Sequence, residues 1–515
     1  MHHIILFLAT LLSFVASYEI TSLTTSQLFT FTGNTGDKAG YSLNAAGDVN
    51  GDGYNDIIIG AHYQNSYTGA VYVIYGGPSV SDIDLLTESL DPSSTGFYVK
   101  GNAAGDYFGF AVSTAGDINN DGYADIIIGA YAKSTARGAA YVIYGKKTED
   151  LANIDLATET LDPASTGFTI TGNANYDRLG YAVGTAKNFN EDEYDDIIIG
   201  AYSKSSAAGA VYIIYGKATA SLTNIVLASQ TLDPATTGIQ ITGGTTYQLG
   251  VHVDFAGDVN NDGYCDVVIG ANRRNSYQGA AYVIYGKPSA NLASYNLAST
   301  ALDPTSTGFE MIGVSGTGQF GRFVKGAGDV NGDGYADVII GAYKVLSDAT
   351  GTVEIGVAYI VYGKSSANLA NLDFSSEALD PQSTGFTITG STFYYHIGYS
   401  VAGGDIDNDG YDDVIIASDI GNSSTGYGFV VYGKGTSELV NIDFSTDTLD
   451  PKTTGFSIDG VTAGDHVGFC LSSAGDFNGD GKAEVLYGAP GRESNRGAAY
   501  LVYPSSKEML KRYFL

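Results

Sequence analysis

The stretch AGDVNGDGY, residues 46–54, recurs along this 515-residue chain and decides its fold. Its first acidic position and the equivalent positions of the later copies are Asp48, Asp117, Asn188, Asp258, Asp329, Asp405 and Asp476. Successive copies lie 69 to 76 residues apart. Because a constant period is typical of repeat architectures, the chain is predicted to form one array of seven similar units. Length alone would suggest several unrelated domains.

Each repeat contains four segments with the composition of β-strands, as the second repeat illustrates. Residues 109–115 lead into the acidic stretch, and the continuous apolar segment 126–130 follows it. Residues 140–144 are rich in aromatic and β-branched side chains, and residues 167–172 alternate between apolar and polar. No helical period recurs with comparable strength. The pattern predicts an all-β fold, a seven-bladed β-propeller of four-stranded antiparallel blades.

The two ends of the repeat region predict how the ring closes. Residues 29–33 resemble a fourth strand without its three predecessors, and residues 499–503 resemble a third strand without its successor. We expect the N-terminal strand to complete the last blade, because this pairing removes an exposed sheet edge. The propeller is assigned to residues 18–505, followed by a short C-terminal tail at 506–515.

Six of the seven acidic loops follow the pattern D-x-[ND]-x-D-G-[YK]-x-[DE]. Alternate oxygens along a tight loop converge on one point, and the glycine supplies the positive φ of the turn. Six or seven hard oxygen ligands suit Ca²⁺ rather than Zn²⁺ or Mg²⁺. The predicted ligands, with the tyrosines and Lys482 acting through their backbone carbonyls, are Asp48, Asn50, Asp52, Tyr54, Asp56, Asp117, Asn119, Asp121, Tyr123, Asp125, Asp258, Asn260, Asp262, Tyr264, Asp266, Asp329, Asn331, Asp333, Tyr335, Asp337, Asp405, Asp407, Asp409, Tyr411, Asp413, Asp476, Asn478, Asp480, Lys482 and Glu484.

Two alternatives compete with this interpretation of the loops. An EF-hand loop begins in the same way but needs flanking helices and a glutamate at its twelfth position, where this chain has Ile59 or an equivalent strand residue. A solvated acidic turn without metal is the other alternative. Six copies in register favour the metal.

The third acidic loop departs from the pattern. It reads NFNEDEYDD, residues 188–196, with Lys187 in place of the preceding glycine and Glu193 in place of the turn glycine. We expect this site to be empty, with the Lys187 ammonium supplying the positive charge, so that about six Ca²⁺ bind per chain. The doubtful ligands of this loop are Asn188, Asn190, Asp192, Tyr194 and Asp196.

The composition excludes several classes of partner. Lys and Arg number 25 against 56 Asp and Glu, a formal net charge of −31. Nucleic-acid binding depends on cations that replace condensed counterions, and docking on an anionic membrane surface needs basic clusters. Both are therefore disfavoured. Nineteen of the 56 acidic residues occupy predicted ligand positions, so bound calcium would neutralise much of the charge.

The N-terminal residues resemble a secretory signal peptide, assigned to residues 1–17. Residues 4–16 are apolar apart from Thr10 and Ser13, too few to span a bilayer, and small residues precede the expected cleavage site before Tyr18. A buried N-terminal strand is the alternative. We expect a protein of the secretory-pathway lumen or the extracellular space, without a membrane span. The sequon at Asn422 is compatible with a glycoprotein.

Two further motifs give the repeats a family resemblance. An "FG" element occurs as Phe108-Gly109 and Phe320-Gly321, and a "GAP" element occurs as Gly488-Ala489-Pro490. With the acidic loops, they make the chain similar to the FG-GAP repeat family, the seven-bladed propeller at the N-terminus of integrin α subunits. The resemblance implies calcium in the loops between strands 1 and 2, and adhesion or partner binding. The long links between strands 3 and 4 look more like free-standing secreted repeats, so heterodimeric integrin function is not carried over.

The face opposite the calcium loops is the expected ligand face. In a four-stranded meander the 2–3 and 4–1 connections lie there, and arginine and tyrosine, both enriched at interfaces, are concentrated in them. The expected ligand is an acidic protein segment or an anionic glycan, the alternative being that exposed loops are simply where arginines can lie. The predicted ligand-face residues are Arg137, Arg178, Arg273, Arg274, Tyr277, Tyr394, Tyr395, Arg492 and Arg496.

The expected function is that of a secreted calcium-binding adhesion or interaction module. A structural coat or granule-matrix protein that assembles with calcium is one alternative. A polysaccharide lyase or hydrolase is the other. After the signal peptide the histidines are His62, His252, His396 and His466, without paired metal-ligand spacing, and the G-x-S-x-G nucleophile motif does not occur. An enzyme is therefore not expected.

Overall fold

Seven five-stranded β-sheets, one for each sequence repeat, make up most of the described part of the chain in its computed structural model. The structure describes residues 17–19, 28–79, 81–85, 90–314, 316, 318–346, 353–392, 394–421 and 424–503. The signal-peptide prediction up to residue 16, the sequon at Asn422 and the C-terminal tail lie outside the described residues.

The first three strands of each blade run antiparallel from the ring axis outward. The first strands are Ser42–Gly47, Ala111–Gly116, Ala182–Lys187, Val253–Gly257, Phe323–Gly328, Ser400–Gly404 and Leu471–Gly475. The second strands are Asp56–Ala61, Asp125–Ala130, Asp196–Ala201, Asp266–Ala271, Asp337–Ala342, Asp413–Ser418 and Glu484–Ala489. The third strands are Ala70–Ile74, Ala139–Ile143, Ala210–Ile214, Ala280–Ile284, Val357–Val361, Tyr427–Val431 and Ala498–Val502.

The fourth strands continue the antiparallel order, and a short fifth strand adds to the predicted four. The fourth strands, from the first blade to the seventh, are Gly96–Lys100, Gly167–Thr171, Gly238–Thr242, Gly308–Ile312, Gly385–Thr389, Gly455–Asp459 and Leu28–Thr32. The fifth strands are Ile154–Asp155, Ile225–Val226, Tyr295–Asn296, Leu372–Asp373, Ile442–Asp443, Ser17–Glu19 and Ile83–Asp84. Most of them come from the 3–4 link of the following blade and pair in parallel with the fourth strand, as Ile154 does with Val99. Each link thus covers the outer edge of the preceding blade.

Two N-terminal strands close the ring. Leu28–Thr32 pairs antiparallel with Ala498–Val502 and completes the seventh blade, which confirms the predicted closure. Ser17–Glu19 pairs in parallel with Gly455–Asp459 of the sixth blade. It takes the place that a two-residue link strand occupies in the other blades. The N-terminal segment therefore supplies the fifth strand of the sixth blade as well as the fourth strand of the seventh.

The hydrophobic core lies between neighbouring blades rather than inside any one of them. One of the seven clusters joins Ile198 and Val211 of the third blade to Val267 and Ile284 of the fourth. The second strands are buried along their whole length, as in Asp56–Ala61. Because both faces of these strands pack against neighbours, their sequences lack polar alternation.

Glycines of the FG and GAP motifs set the distance between blades. A Cβ atom on Gly129 would lie 2.0 Å from the carbonyl oxygen of Gly180 at the start of the next blade. The Gly180 N–H donates to the carbonyl oxygen of Gly200, 3.0 Å away. No larger residue fits at Gly129 without separating the two blades.

Short turns complete the two faces. Among the described residues, five 2–3 connections contain a four-residue turn in which three consecutive residues have positive φ, such as Asn65, Ser66 and Tyr67. These turns are Gln64–Tyr67, Lys133–Ala136, Lys204–Ala207, Arg274–Tyr277 and Arg492–Asn495. The 3–4 links contain 3₁₀ turns at Thr148–Asp150, Thr219–Ser221, Ser289–Asn291 and Thr436–Glu438. Tyr394–Tyr395 also pairs with Ile420–Gly421.

Candidate metal loops and the opposite face

The acidic loops connect strands 1 and 2, so all of them lie on one face of the ring. In the first loop one Asp48 oxygen accepts the N–H of Gly51 at 2.7 Å, and the other accepts the N–H of Gly53 at 2.9 Å. Gly53 has a φ of +93°, as predicted for the turn glycine. The equivalent glycines of the other five matching loops have φ between +88° and +94°. The first aspartate and the turn glycine therefore shape these loops in the same way.

The last acidic residue of each loop also stabilises the fold by accepting backbone hydrogen bonds. Asp56 is fully buried, and its two carboxylate oxygens accept the N–H groups of Val49 at 2.8 Å and of Gly76 at 2.9 Å. Gly76 follows the third strand, so this carboxylate fastens the loop to the adjoining end of that strand. In the seventh loop Glu484 accepts the N–H of Phe477 at 2.8 Å. Each oxygen keeps a further lone pair for a ligand.

The sixth loop fits a cation most closely. Single oxygens of Asp405, Asp407 and Asp413 all lie within 4.8 Å of one another. The Oδ1 atom of Asp407 is buried and, among the described residues, has no hydrogen-bond partner. Asn119, at the equivalent position of the second loop, also has a buried Oδ1 atom without a described partner. Convergent hard oxygens with unused lone pairs suit a divalent cation such as Ca²⁺.

The electrostatics of the loops point in the same direction. Burial, followed by repulsion from Asp407 and Asp405, raises the pKa of Asp413 to about 8 against the lowering effect of its backbone hydrogen bonds. Burial, reinforced by Asp480 and Asp476, likewise raises the pKa of Glu484 to about 8. A bound cation would favour the ionised forms of these groups.

The third loop has a different internal geometry. Asn188 accepts the N–H of Asp192 at 2.9 Å and also donates its own amide N–H to the Asp192 carbonyl oxygen. Glu193 does not take the positive φ of the turn glycine, whereas Lys187 has a φ of +49°. The Lys187 ammonium lies 3.3 Å from Asp195, which is outside the ligand pattern. The positive charge predicted for this loop is thus directed to its neighbouring carboxylate.

On the opposite face, most of the predicted arginines contact groups of the chain itself. Arg274 forms an ion pair with Glu310. Arg496 lies 3.2 Å from Asp84 and 3.0 Å from Glu493. The other contacts are those of Arg492 with Glu493, Arg178 with the Tyr202 hydroxyl and Arg273 with the Tyr277 ring. For Arg137, the Nε atom is buried without a described partner.

The tyrosine cluster of the sixth repeat lies beside a histidine that contacts two carboxylates. Tyr394 and Tyr395 form the small strand opposite Ile420–Gly421. The next residue, His396, places its Nε2 atom 2.9 Å from Glu354 and its Nδ1 atom 3.0 Å from Asp419. This contact joins the 2–3 loops of the fifth and sixth blades.

The centre of the opposite face contains a site that was not predicted from the sequence. A cavity of about 140 Å³ lies where the first strands of all seven blades meet. We name its mouth the axial funnel; it is formed by the residue after the FG-type glycine of each repeat. These residues are Tyr41, Phe110, Tyr181, Val251, Arg322, Tyr399 and Phe469. Aligning the repeats on that glycine would have shown one arginine among aromatic and aliphatic residues.

The repeats also match a known family. The family described as "FG-GAP repeat" matches residues 39–74, 108–143, 250–284, 326–357, 397–432 and 472–502. The chain is an FG-GAP repeat protein. The matched segments leave out the third blade, whose acidic loop is the one with the different geometry.

Integrin α subunits are among the curated relatives of this FG-GAP chain. It is 31% identical over 189 residues to integrin alpha-PS2 of Drosophila melanogaster, covering 35% of this chain and 12% of that protein. It is 30% identical over 257 residues to integrin alpha pat-2 of Caenorhabditis elegans, covering 49% and 19%. It is also 33% identical over 172 residues to the phosphatidylinositol-glycan-specific phospholipase D of Bos taurus, covering 32% and 18%. The chain matches less than a fifth of each of these three relatives. In the part that the structure covers, no helix has the length and apolar character needed to cross a membrane.

Proposed function

We propose that this FG-GAP propeller is a secreted calcium-binding adhesion module whose ligand binds the face opposite the calcium loops. The convergence of Asp405, Asp407 and Asp413 in the sixth loop carries the proposal. Five further loops have the same residue pattern on the same face. The similarity to integrin α subunits supports adhesion rather than catalysis.

Calcium would stabilise each loop by neutralising its carboxylates. Three or four acidic side chains in one turn repel one another, and a bound cation converts this repulsion into a crosslink between strands 1 and 2. Because calcium binds the folded loop preferentially, it also stabilises the whole ring. We expect dissociation constants on the order of 10⁻⁴ to 10⁻³ M, as in other extracellular modules.

The metal count is the first test. Equilibrium dialysis followed by elemental analysis is expected to give six calcium ions per chain, with the third loop empty. Magnesium at the same concentration serves as the control, because it demands a tighter octahedral site. A chain that retains no calcium would contradict the proposal, and a count of seven would contradict the empty third loop.

The position of the ligand is the second test. The partner is recovered from the native secretory route and joined to the chain by an amine-reactive cross-linker. The positions of the cross-linked lysines then show which face the partner binds. The expected cross-links are at the opposite-face lysines Lys38, Lys133 and Lys344. Cross-links confined to lysines of the 3–4 links would place the partner on the calcium face, and these lysines are Lys146, Lys147, Lys217, Lys287, Lys364, Lys434 and Lys452.

Two other functions make different predictions. A coat or granule-matrix protein would self-associate with calcium, which light scattering measures, whereas an adhesion module would remain at constant size. A glycan-degrading enzyme would turn over a polysaccharide. The match to the bovine phospholipase D covers 18% of that protein, and we do not extend its activity to this chain.

A further inference from the structure

The walls of the axial funnel are almost entirely aromatic. The ring centroids of Tyr41 and Phe110 are 5.4 Å apart, and those of Phe110 and Tyr181 are 4.9 Å apart. On the other side Tyr41 lies 4.7 Å from Phe469, which lies 5.2 Å from Tyr399. Five rings thus form a continuous arc, which Val251 and Arg322 complete.

Arg322 is the cation of this ring. Its Nη2 atom donates to the Tyr181 hydroxyl at 3.3 Å, and its Cζ atom lies 4.8 Å from the centroid of Phe323. Its other titratable neighbours include the phenols of Tyr399, Tyr343 and Tyr41. No carboxylate of the described residues forms an ion pair with it. A phenol therefore accepts from one of its five N–H donors, and the guanidinium lies over the rings of Tyr181 and Phe323.

Two other cations near the funnel have carboxylate partners. Lys325, deeper in the channel, lies 3.6 Å from Asp254. Lys133, at the rim, lies 3.3 Å from Asp106. Arg322 is thus a partly buried guanidinium that lines the cavity and has no ion-pair partner among the described residues. Leaving a charge unpaired away from water is costly, and an external anion would compensate it.

We propose that the axial funnel is a carboxylate-binding site, in which Arg322 pairs with an aspartate or glutamate side chain of a protein ligand. This inference rests on the proposed ligand face and names the group that enters it. The planar guanidinium fits a carboxylate through two parallel hydrogen bonds. The surrounding rings exclude water and pack against the methylene groups of the acidic side chain.

The composition of the wall favours a protein ligand over an acidic glycan. A sugar acid carries hydroxyls on most of its carbons, and these would lose water against Phe110, Phe469 and Val251 without gaining hydrogen bonds. The 4–1 loops around the mouth also contain carboxylates, at Asp37, Asp106, Asp177 and Asp465. A polyanionic glycan would bring several negative charges toward them, whereas one acidic side chain brings a single charge to Arg322.

Saturation-transfer difference NMR tests the site with two matched peptides. The calcium-loaded chain is mixed with Ac-Gly-Glu-Gly-amide or with Ac-Gly-Gln-Gly-amide, which differ only in the charge of the side chain. We expect at least a fivefold larger signal for the glutamate peptide. Equal signals for the two peptides would overturn the proposal.

Two variants assign the effect to Arg322. R322Q is expected to reduce the glutamate-peptide signal to the level of the glutamine peptide, and R322K to keep at least half of it. K364Q is the control, because Lys364 lies in a 3–4 link on the face away from the funnel. Loss of the signal in K364Q, or its retention in R322Q, would refute the assignment.

Two further measurements distinguish a ligand-binding arginine from a structural one and a protein ligand from a sugar acid. The thermal midpoint of R322Q is expected to equal or exceed that of the wild type, whereas a purely structural arginine would lower it. Glucuronate is expected to give a weaker signal than the glutamate peptide, and a stronger one would overturn the protein ligand. Should the funnel fail while cross-links still map to Lys38, Lys133 and Lys344, the proposed ligand face stands without it.

Discussion

The third and sixth acidic loops occupy equivalent places but differ in composition. In both, the last carboxylate is fully buried and fastens the loop to the blade. Asp196 accepts the N–H groups of Phe189 at 3.1 Å and of Gly216 at 2.9 Å. Asp413 accepts those of Ile406 and Gly433, both at 2.9 Å. The hairpin framework is therefore the same with and without the complete acidic pattern.

The difference lies in the groups around that shared carboxylate. The sixth loop brings the carboxylates of Asp405 and Asp407 close to Asp413, whereas the third loop has amides, Asn188 and Asn190, at those two positions. Backbone hydrogen bonds thus shape the loop, and the acidic side chains are a second layer that favours a cation. Cation binding can therefore be lost from one blade without loss of the blade.

Of the changes that test the two loops, removal of calcium should have the largest effect on the stability of the protein. At a free concentration ten times the dissociation constant, one site contributes about 1.4 kcal/mol, so six sites contribute about 8 kcal/mol to the free energy of unfolding. We expect EGTA to lower the thermal midpoint by many degrees, measured by circular dichroism. Magnesium should restore little of the loss. A midpoint indifferent to EGTA would show that the acidic layer binds no cation.

Matched substitutions in the two loops should separate the layers. Asp413→Asn and Asp196→Asn each remove one carboxylate that holds two backbone N–H groups, at a cost of about 1–3 kcal/mol. With calcium present at ten times the dissociation constant, we expect Asp413→Asn to cost about 1.4 kcal/mol more than Asp196→Asn. Urea unfolding measures both. In EGTA the difference should vanish; an equal cost in calcium would mean that the sixth loop gains nothing from the ion.

Restoring the acidic pattern should convert the third loop into a site. The double substitution Asn188→Asp with Glu193→Gly returns the first carboxylate and the turn glycine. The calcium count should rise from six to seven, with a gain of at most about 1.4 kcal/mol at ten times the dissociation constant. Asn188→Asp alone is the control, because it keeps Glu193 at the turn. If the calcium count of the double variant stays at six, other residues of the third blade, rather than these two, exclude the cation.

The smallest effect is expected at the entry to the third loop. Lys187→Gly removes an exposed ion pair with Asp195, worth about 0–1 kcal/mol. It also relieves a lysine at φ +49°, a conformation that costs about 1–2 kcal/mol for residues other than glycine. We expect the free energy of unfolding to stay constant or rise by about 1 kcal/mol. A clear loss in urea unfolding would show that the Lys187 charge is essential to a loop without calcium.

Much of the fold follows from the sequence because the signals are local and repeated. The second strand predicted at residues 126–130 is Asp125–Ala130, and the closing strand predicted at 29–33 is Leu28–Thr32. The fifth strands were not predicted. A segment of two residues, such as Ile154–Asp155, has no periodicity of its own. It becomes a strand only because the link passes over the preceding blade.

The opposite face was less predictable for a similar reason. The sequence placed Arg274 in an opposite-face loop, but its pairing with Glu310 depends on a fourth strand 36 residues further on. The neighbours of Arg322 come from several blades, and one of them, Tyr181, lies 141 residues away in the sequence. Loop composition indicates which residue types are exposed, whereas the partner of each depends on how the ring closes.

The pairing of Leu28–Thr32 with Ala498–Val502 also sets a waiting time during synthesis. Leu28–Thr32 leaves the ribosome about 470 residues before its partner strand. At 5–20 residues per second this corresponds to roughly 25 to 95 seconds. Through that interval Phe29 and Phe31 lie on an unpaired strand whose edge is open to other chains. The nascent protein is thus most prone to aggregate before its final strand emerges, and a chaperone that covers residues 28–32 would protect it until then.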